Sequence, residues 1–299
     1  MTGQAGPVEG RPMRVLVLGA GGMLGHAAYR VLSAGPGLSV FGTLRGEGAL
    51  RHFPAELQDR LLTGIDVLDT DRLAACLAQT RPDVVLNCVG LVKQHQAAED
   101  PLSALPINAL LPHRLARLCT LMGARLVHVS TDCVFRGDRG SYTESDAPDA
   151  ADLYGRSKLL GEVDAPNAVT LRTSIIGREL GSRHGLVEWF LGEPGPVRGF
   201  TRAVFSGLTT DELSRVILRH VLRRPELRGV WHVAAAPISK NDLILLLRDA
   251  YRRDTEIRPD GSVVLDRSLD GSRFRAATGY TAPAWPEMIR TMRDGACLP

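Results

Sequence analysis

Apolar positions along the chain follow two rhythms. Residues 14–18 read Arg-Val-Leu-Val-Leu, the short β-branched run of a strand buried on both faces of a parallel sheet. A glycine cluster follows, and then a helical spacing over residues 23–32. Strand-like runs recur at Leu38–Thr43, 83–89, 125–130 and 168–174. Helical patterns fall at 66–79, 112–122 and 154–163, and residues 45–52 read as a loop. Strands alternating with helices predict βαβ units, hence an α/β fold with a doubly wound parallel sheet covered by helices on both faces.

After about Ile175 the alternation loosens. Prolines and glycines crowd residues 192–207, helices are expected at 211–223 and 241–251, and the end is rich in Pro and Trp around Pro283 to Pro286. The expected organisation is a loose tail over 1–12, a first domain over 13–175 and a smaller substrate-binding lobe over 176–299. Segments of that lobe are expected to return to the first domain's sheet. A chain of 299 residues is long enough for this division.

Composition removes several classes of function. The 36 basic and 33 acidic residues give a net charge of +3, too even for a protein whose main partner is nucleic acid. The five cysteines, Cys76, Cys88, Cys119, Cys133 and Cys297, lack metal-ligand spacing, and their odd number argues against a disulfide framework. No metal is expected. No apolar run reaches the roughly 20 residues that a membrane span needs, and residues 1–12 lack a signal-peptide core. A cytoplasmic protein without a membrane partner is the expectation.

The glycine cluster carries the first chemistry. Gly19, Gly22 and Gly25 form a G-x-x-G-x-x-G pattern, with Met23 and Leu24 inside it, directly between the first strand and the first helix. Such a loop turns the chain sharply, lets backbone approach a pyrophosphate, and presents free N–H groups at a helix N-terminus. The fold is therefore expected to be of the Rossmann type, with the first domain binding NAD(P). The second strand ends in Gly42-Thr43-Leu44-Arg45 without a carboxylate for a ribose 2′-hydroxyl. Arg45 is either a partner for a 2′-phosphate, which favours NADPH over NADH, or a solvated loop residue. Asp66, beside Val67, either accepts from the adenine amino group or caps the following helix.

Tyr154 and Lys158 stand four residues apart, which places them on one helix face. An ammonium beside a phenol stabilises the phenolate and makes the pair a candidate acid/base. Ser130-Thr131-Asp132 ends an apolar strand, and active sites of open α/β sheets lie beyond the carboxyl ends of their strands. A hydroxyl there can donate to a substrate carbonyl.

With these motifs in place, the chain resembles the extended short-chain dehydrogenases, and among them the dTDP-4-dehydrorhamnose reductase family and related UDP-4-keto-6-deoxy-N-acetylhexosamine reductases. The resemblance rests on 19–25, 129–135, 154–162, 171–174 and 266–274. It implies reduction of the 4-keto group of a nucleotide-activated 6-deoxysugar by NADPH, in deoxysugar biosynthesis. It implies that Tyr154 protonates the C4 oxygen, that Lys158 tunes Tyr154 and binds ribose, and that Thr131 holds the carbonyl. It also implies that Cys88, Val89 and Gly90 lie under the cofactor. Lys93, Asn108, Asp132, Ser206 and Arg273 are implied on the substrate side, Arg273 against the diphosphate. A homodimer is left open.

Two departures shape the alternatives. Cys133 replaces the tyrosine that the reductases often carry, and it also replaces the glutamate that sugar-nucleotide dehydratases use to eliminate water. A dehydratase or epimerase is the nearest enzymatic alternative. A non-catalytic NADP-binding regulatory module is the other, and such modules can lose the tyrosine or the hydroxyls that this chain keeps.

Overall fold

The computed structural model describes residues 10–92 and 99–295. Its centre is a sheet of seven strands: β1 (Met13–Leu18), β2 (Leu38–Thr43), β3 (Leu61–Leu62), β4 (Val84–Asn87), β5 (Arg125–Thr131), β6 (Ala168–Thr173) and the strand Gly229–His232. All neighbours pair in parallel, in the spatial order Gly229–His232, β6, β5, β4, β1, β2, β3. Val15, Leu16, Val17 and Leu18 are fully buried because helices cover both faces, which explains a continuous rather than alternating apolar run.

From β1 the chain winds one way to β2 and β3, then the other way through β4, β5 and β6. The reversal between β1 and β4 opens a crevice beyond their carboxyl ends, where open α/β sheets bind ligands. Helix α1 (Met23–Ser33) leaves that crevice with Leu24, Ala27, Ala28, Tyr29 and Leu32 buried against the sheet.

Gly229–His232 lies far beyond residue 175 yet extends the main sheet through its pairing with β6. Past β6, the strand Ala203–Phe205 carries Ile238–Ser239 on one side and Leu265–Asp266 on the other. A single hydrophobic core joins Val17 and Leu86 of the main sheet to Leu243, Ile289 and Met292 of the later helices.

Several boundaries differ from expectation. Residues 45–52 contain a short 3₁₀ helix, Glu47–His52. The helix expected from residue 66 starts at Thr70, because Asp69 accepts the Arg72 N–H and caps it. The helix Leu111–Met122 is preceded by a π-helical stretch, Leu105–Leu110, in a segment where Pro106 brings no N–H to the ladder. The Pro/Trp-rich end forms the helix Trp285–Gly295, with Trp285, Met288, Ile289 and Met292 buried at helical spacing. Pro286 is compatible with that because a first-turn N–H has no partner in any case. Arg11, expected in the loose tail, holds Asp83 with two hydrogen bonds, of 3.0 and 2.6 Å.

Candidate active site

The crevice is a cleft of about 540 Å³ bordered by the glycine loop, the ends of β4 and β5, the helix Leu153–Leu160 and the segment after β6. Gly21, Gly22, Met23 and Leu24 line it. Gly19 and Gly25 do not; they shape the loop from behind. Gly19 has φ of +79°, and a Cβ there would come 2.9 Å from a Val89 methyl. A Cβ on Gly25 would sit 1.9 Å from the Gly19 carbonyl oxygen, so α1 can start this close to β1 only with glycine. The Gly22 N–H donates to the Gly19 oxygen, which closes the turn.

Asn87, Cys88, Val89, Gly90, Leu91 and Val92 form the floor. The Asn87 carboxamide oxygen accepts the Val89 N–H. Asn108 clamps Leu91 from behind: it accepts the Leu91 N–H at 2.9 Å, donates to the Leu91 oxygen at 3.0 Å, and donates to Ser157 at 3.2 Å. This differs from its expected place on the substrate side, since its amide is spent on backbone and on the helix Leu153–Leu160.

Tyr154, Lys158 and Thr131 all face the cleft. The helix that carries the first two is capped by Asp152, which accepts the Gly155 N–H at 2.7 Å. Lys158 Nζ donates to the Val129 oxygen at 2.8 Å. Thr131 Oγ1 accepts the Cys133 N–H and contacts the Asp132 carboxylate at 3.2 Å, and its hydroxyl stands against the Tyr154 phenol. Burial pushes the Lys158 ammonium down to about 8, against the pull of Glu162. Burial also pushes the Tyr154 phenol up, helped by the neighbouring Cys133 and Asp132. The hydrogen bond from Thr131 pulls the other way but is outweighed, and Tyr154 stays a neutral phenol, able to give a proton.

Arg45 borders the cleft and is exposed. Asp66 and Val67 do not border it. Asp66 accepts the Leu68 N–H in a local turn, and the helix cap is Asp69 instead. Asp132 and Cys133 line the cleft beside Thr131, and burial pushes the Cys133 thiol up to about 12. Ser206 is buried away from the cleft, accepting the Leu269 N–H. Arg273 stacks on Trp231, 3.8 Å from the ring centroid, and donates to the Val230 oxygen. Neither is brought to the cleft, because each holds one chain segment against another. Lys93 lies outside the described residues.

The remaining wall lies, beyond Ser174, in a stretch that no motif announced. Thr173, Ser174 and Ile175 at and after the end of β6, with Glu179, Leu180, Ser182, His184 and Gly185, complete the cleft, Gly185 packing against the Met23 side chain. Glu179 shapes this wall by accepting the N–H groups of His184 and Gly185 at 2.8 and 2.9 Å.

Comparison with known proteins gives a consistent picture. The chain is 33% identical over 180 residues to a probable low-salt glycan biosynthesis reductase of Haloferax volcanii, covering 58% of this chain and 57% of that relative. It thus spans little more than half that relative's length. It is 32% identical over 259 residues to a dTDP-4-dehydrorhamnose reductase of Mycolicibacterium smegmatis, covering 83% and 73% of the two chains. Among solved structures it is similar to a hypothetical dTDP-4-dehydrorhamnose reductase from Sulfolobus tokodaii, with a TM-score of 0.72, 27% identity and coverage of 91% and 98%. A family model described as the RmlD substrate binding domain matches residues 13–262, and the chain belongs to that family.

Proposed function

We propose that this protein reduces the 4-keto group of a nucleotide-activated 6-deoxysugar with NADPH. The carrying observation is that Thr131, Tyr154 and Lys158 meet in one cleft whose opposite lip is the glycine loop. The relatives named as reductases support the same reading.

A dinucleotide suits this cleft. The Gly25 and Gly19 positions admit no Cβ, so backbone N–H groups at the start of α1 stay open to a pyrophosphate. Arg45 would meet a 2′-phosphate, and Lys158 and the floor from Cys88 to Gly90 would meet the nicotinamide riboside. Residues after β6 form the substrate wall of the smaller lobe. A bound reduced nicotinamide supplies the hydride.

The chain's own residues supply the rest. Thr131 holds the carbonyl oxygen. Tyr154, kept as a neutral phenol, gives its proton to that oxygen as the carbonyl carbon is reduced. The Lys158 ammonium then faces the phenolate left behind and offsets its charge. Elimination of water would need a carboxylic acid at position 133, and the Cys133 thiol, raised to about 12, cannot replace it near neutral pH.

The test is direct. Purified protein is mixed with NADPH and a panel of dTDP- and UDP-linked 4-keto-6-deoxyhexoses. Loss of nicotinamide absorbance with formation of the 4-hydroxy sugar is the expected result. Saturable NADPH binding without turnover across the panel would overturn the proposal in favour of a regulatory module.

A further inference from the structure

Beneath the cleft floor stands a buried histidine that has no part in the chemistry above. Leu18, Asn87, His128 and Thr170 are register partners across β1, β4, β5 and β6. His128 is fully buried, and its Nδ1 lies 3.1 Å from the Asn87 amide nitrogen. Thr170, on the other side, is taken up by the backbone N–H and carbonyl of Val163.

One hydrogen bond fixes the roles of these atoms. The Asn87 amide oxygen accepts the Val89 N–H at 3.1 Å, so its nitrogen is the atom that faces the ring. An amide nitrogen only donates, so His128 Nδ1 accepts and the ring is neutral with its proton on Nε2. Burial, together with the charges of Lys158 and His113, holds the imidazole pKa well below its usual range. Nε2 finds no partner among the described residues. An orphaned buried donor is costly, and an apolar side chain would avoid it. What the ring supplies at this place is an acceptor for Asn87.

The consequence falls on Val89, in the cleft floor. A Cβ on Gly19 would come 2.9 Å from a Val89 methyl and 3.4 Å from its backbone nitrogen, so floor and glycine loop are already in close contact. A Val89 backbone let go by Asn87 shifts against that loop or into the cleft.

We propose that His128, acting through Asn87, is a positioning residue that holds the Val89 floor against the glycine loop and so sets the nicotinamide end of the cofactor relative to the substrate carbonyl. This rests on the reductase reading above and deepens it.

The test compares His128→Leu with His128→Asn. The two side chains have the same heavy-atom shape, but Asn keeps an acceptor on Cγ, the atom that bears Nδ1. His128→Leu is expected to lower kcat on a 4-keto sugar nucleotide about 10- to 100-fold. It should also reduce the gain in nicotinamide fluorescence when NADPH binds, with NADPH affinity within about threefold of wild type. His128→Asn recovers most of the kcat and the fluorescence gain, although both variants have lowered thermal midpoints. Equal effects of the two substitutions on kcat and fluorescence, or no effect of either, overturn the proposal and leave a packing role only. Asn87→Ser, which can accept the Val89 N–H but no longer reaches the ring, stands in should either variant fail to fold by circular dichroism. It is expected to match His128→Leu, and wild-type behaviour in it overturns the proposal. Absence of wild-type turnover on every keto sugar overturns the reductase reading alone, and the fluorescence comparison still decides the role of His128.

Discussion

Arg172 grips Glu162 at two points: its Nε and one terminal nitrogen each donate to a different carboxylate oxygen at 2.7 Å. Both side chains are buried, and Ser130 adds a third hydrogen bond to the same carboxylate at 2.8 Å. Glu162 lies four residues beyond Lys158 and supports its charge. The β5 end, the β6 strand and the end of the helix Leu153–Leu160 are thereby tied together just behind Thr131 and Lys158.

Removing one partner of such a buried pair leaves the other uncompensated. Glu162→Gln is expected to lose about 3–5 kcal/mol of stability. Urea denaturation followed by circular dichroism measures it; a loss under 1 kcal/mol would mean that the pair contributes little.

In the proposed reaction Lys158 would set the alkaline limit of activity. Its ammonium is held down to about 8, so the reduction rate is expected to fall as pH rises through about 8. The effect on stability has the opposite sign. Between about 8 and the free-lysine value of about 10.5, the unfolded chain holds a proton that the folded one has lost, so this group's contribution to stability rises with pH. Glu162→Gln, if it folds, should move the descending limb of the rate profile to lower pH. A profile flat to pH 10 would remove Lys158 from the mechanism.

Tyr154→Phe deletes the proposed proton donor and little else. We expect kcat to fall about 10²- to 10⁴-fold with NADPH affinity nearly unchanged, read by stopped-flow turnover and by fluorescence titration. Retained activity would assign the proton to another group.

Gly25→Ala places a methyl carbon where the Gly19 oxygen stands, 1.9 Å away. Helix α1 must then shift off β1. The expected outcome is loss of NADPH binding together with a lower thermal midpoint, and normal binding by calorimetry would contradict the packing described here.

Arg45→Ala tests cofactor choice. Losing an exposed charge-assisted contact is expected to weaken NADPH binding about tenfold and leave NADH unaffected. Equal affinities in the wild type would identify Arg45 as a solvated loop residue.

Much of the first half of the fold was legible because its signals are local. Consecutive apolar residues at 15–18 mark a strand buried on both faces, and among the glycines at 19, 22 and 25 the first and last stand where the turn leaves no room for a side chain. The spacing of Tyr154 and Lys158 fixes their common helix face. Residues 176–299 were harder. The helix Trp285–Gly295 was hidden by its two flanking prolines, and Gly229–His232 gave no sign that it pairs with β6.

By itself the sequence determined the α/β winding, the glycine turn and the shared helix face of Tyr154 and Lys158, since each depends on backbone preferences within a few residues. Only the tertiary structure decided which polar residues face the cleft. It turned Asn108, Ser206 and Arg273 to structural work and brought Glu179 to the cleft, because those outcomes depend on contacts between segments far apart in the chain. It also holds the Tyr154 phenol up, through its burial and the nearby Cys133 and Asp132.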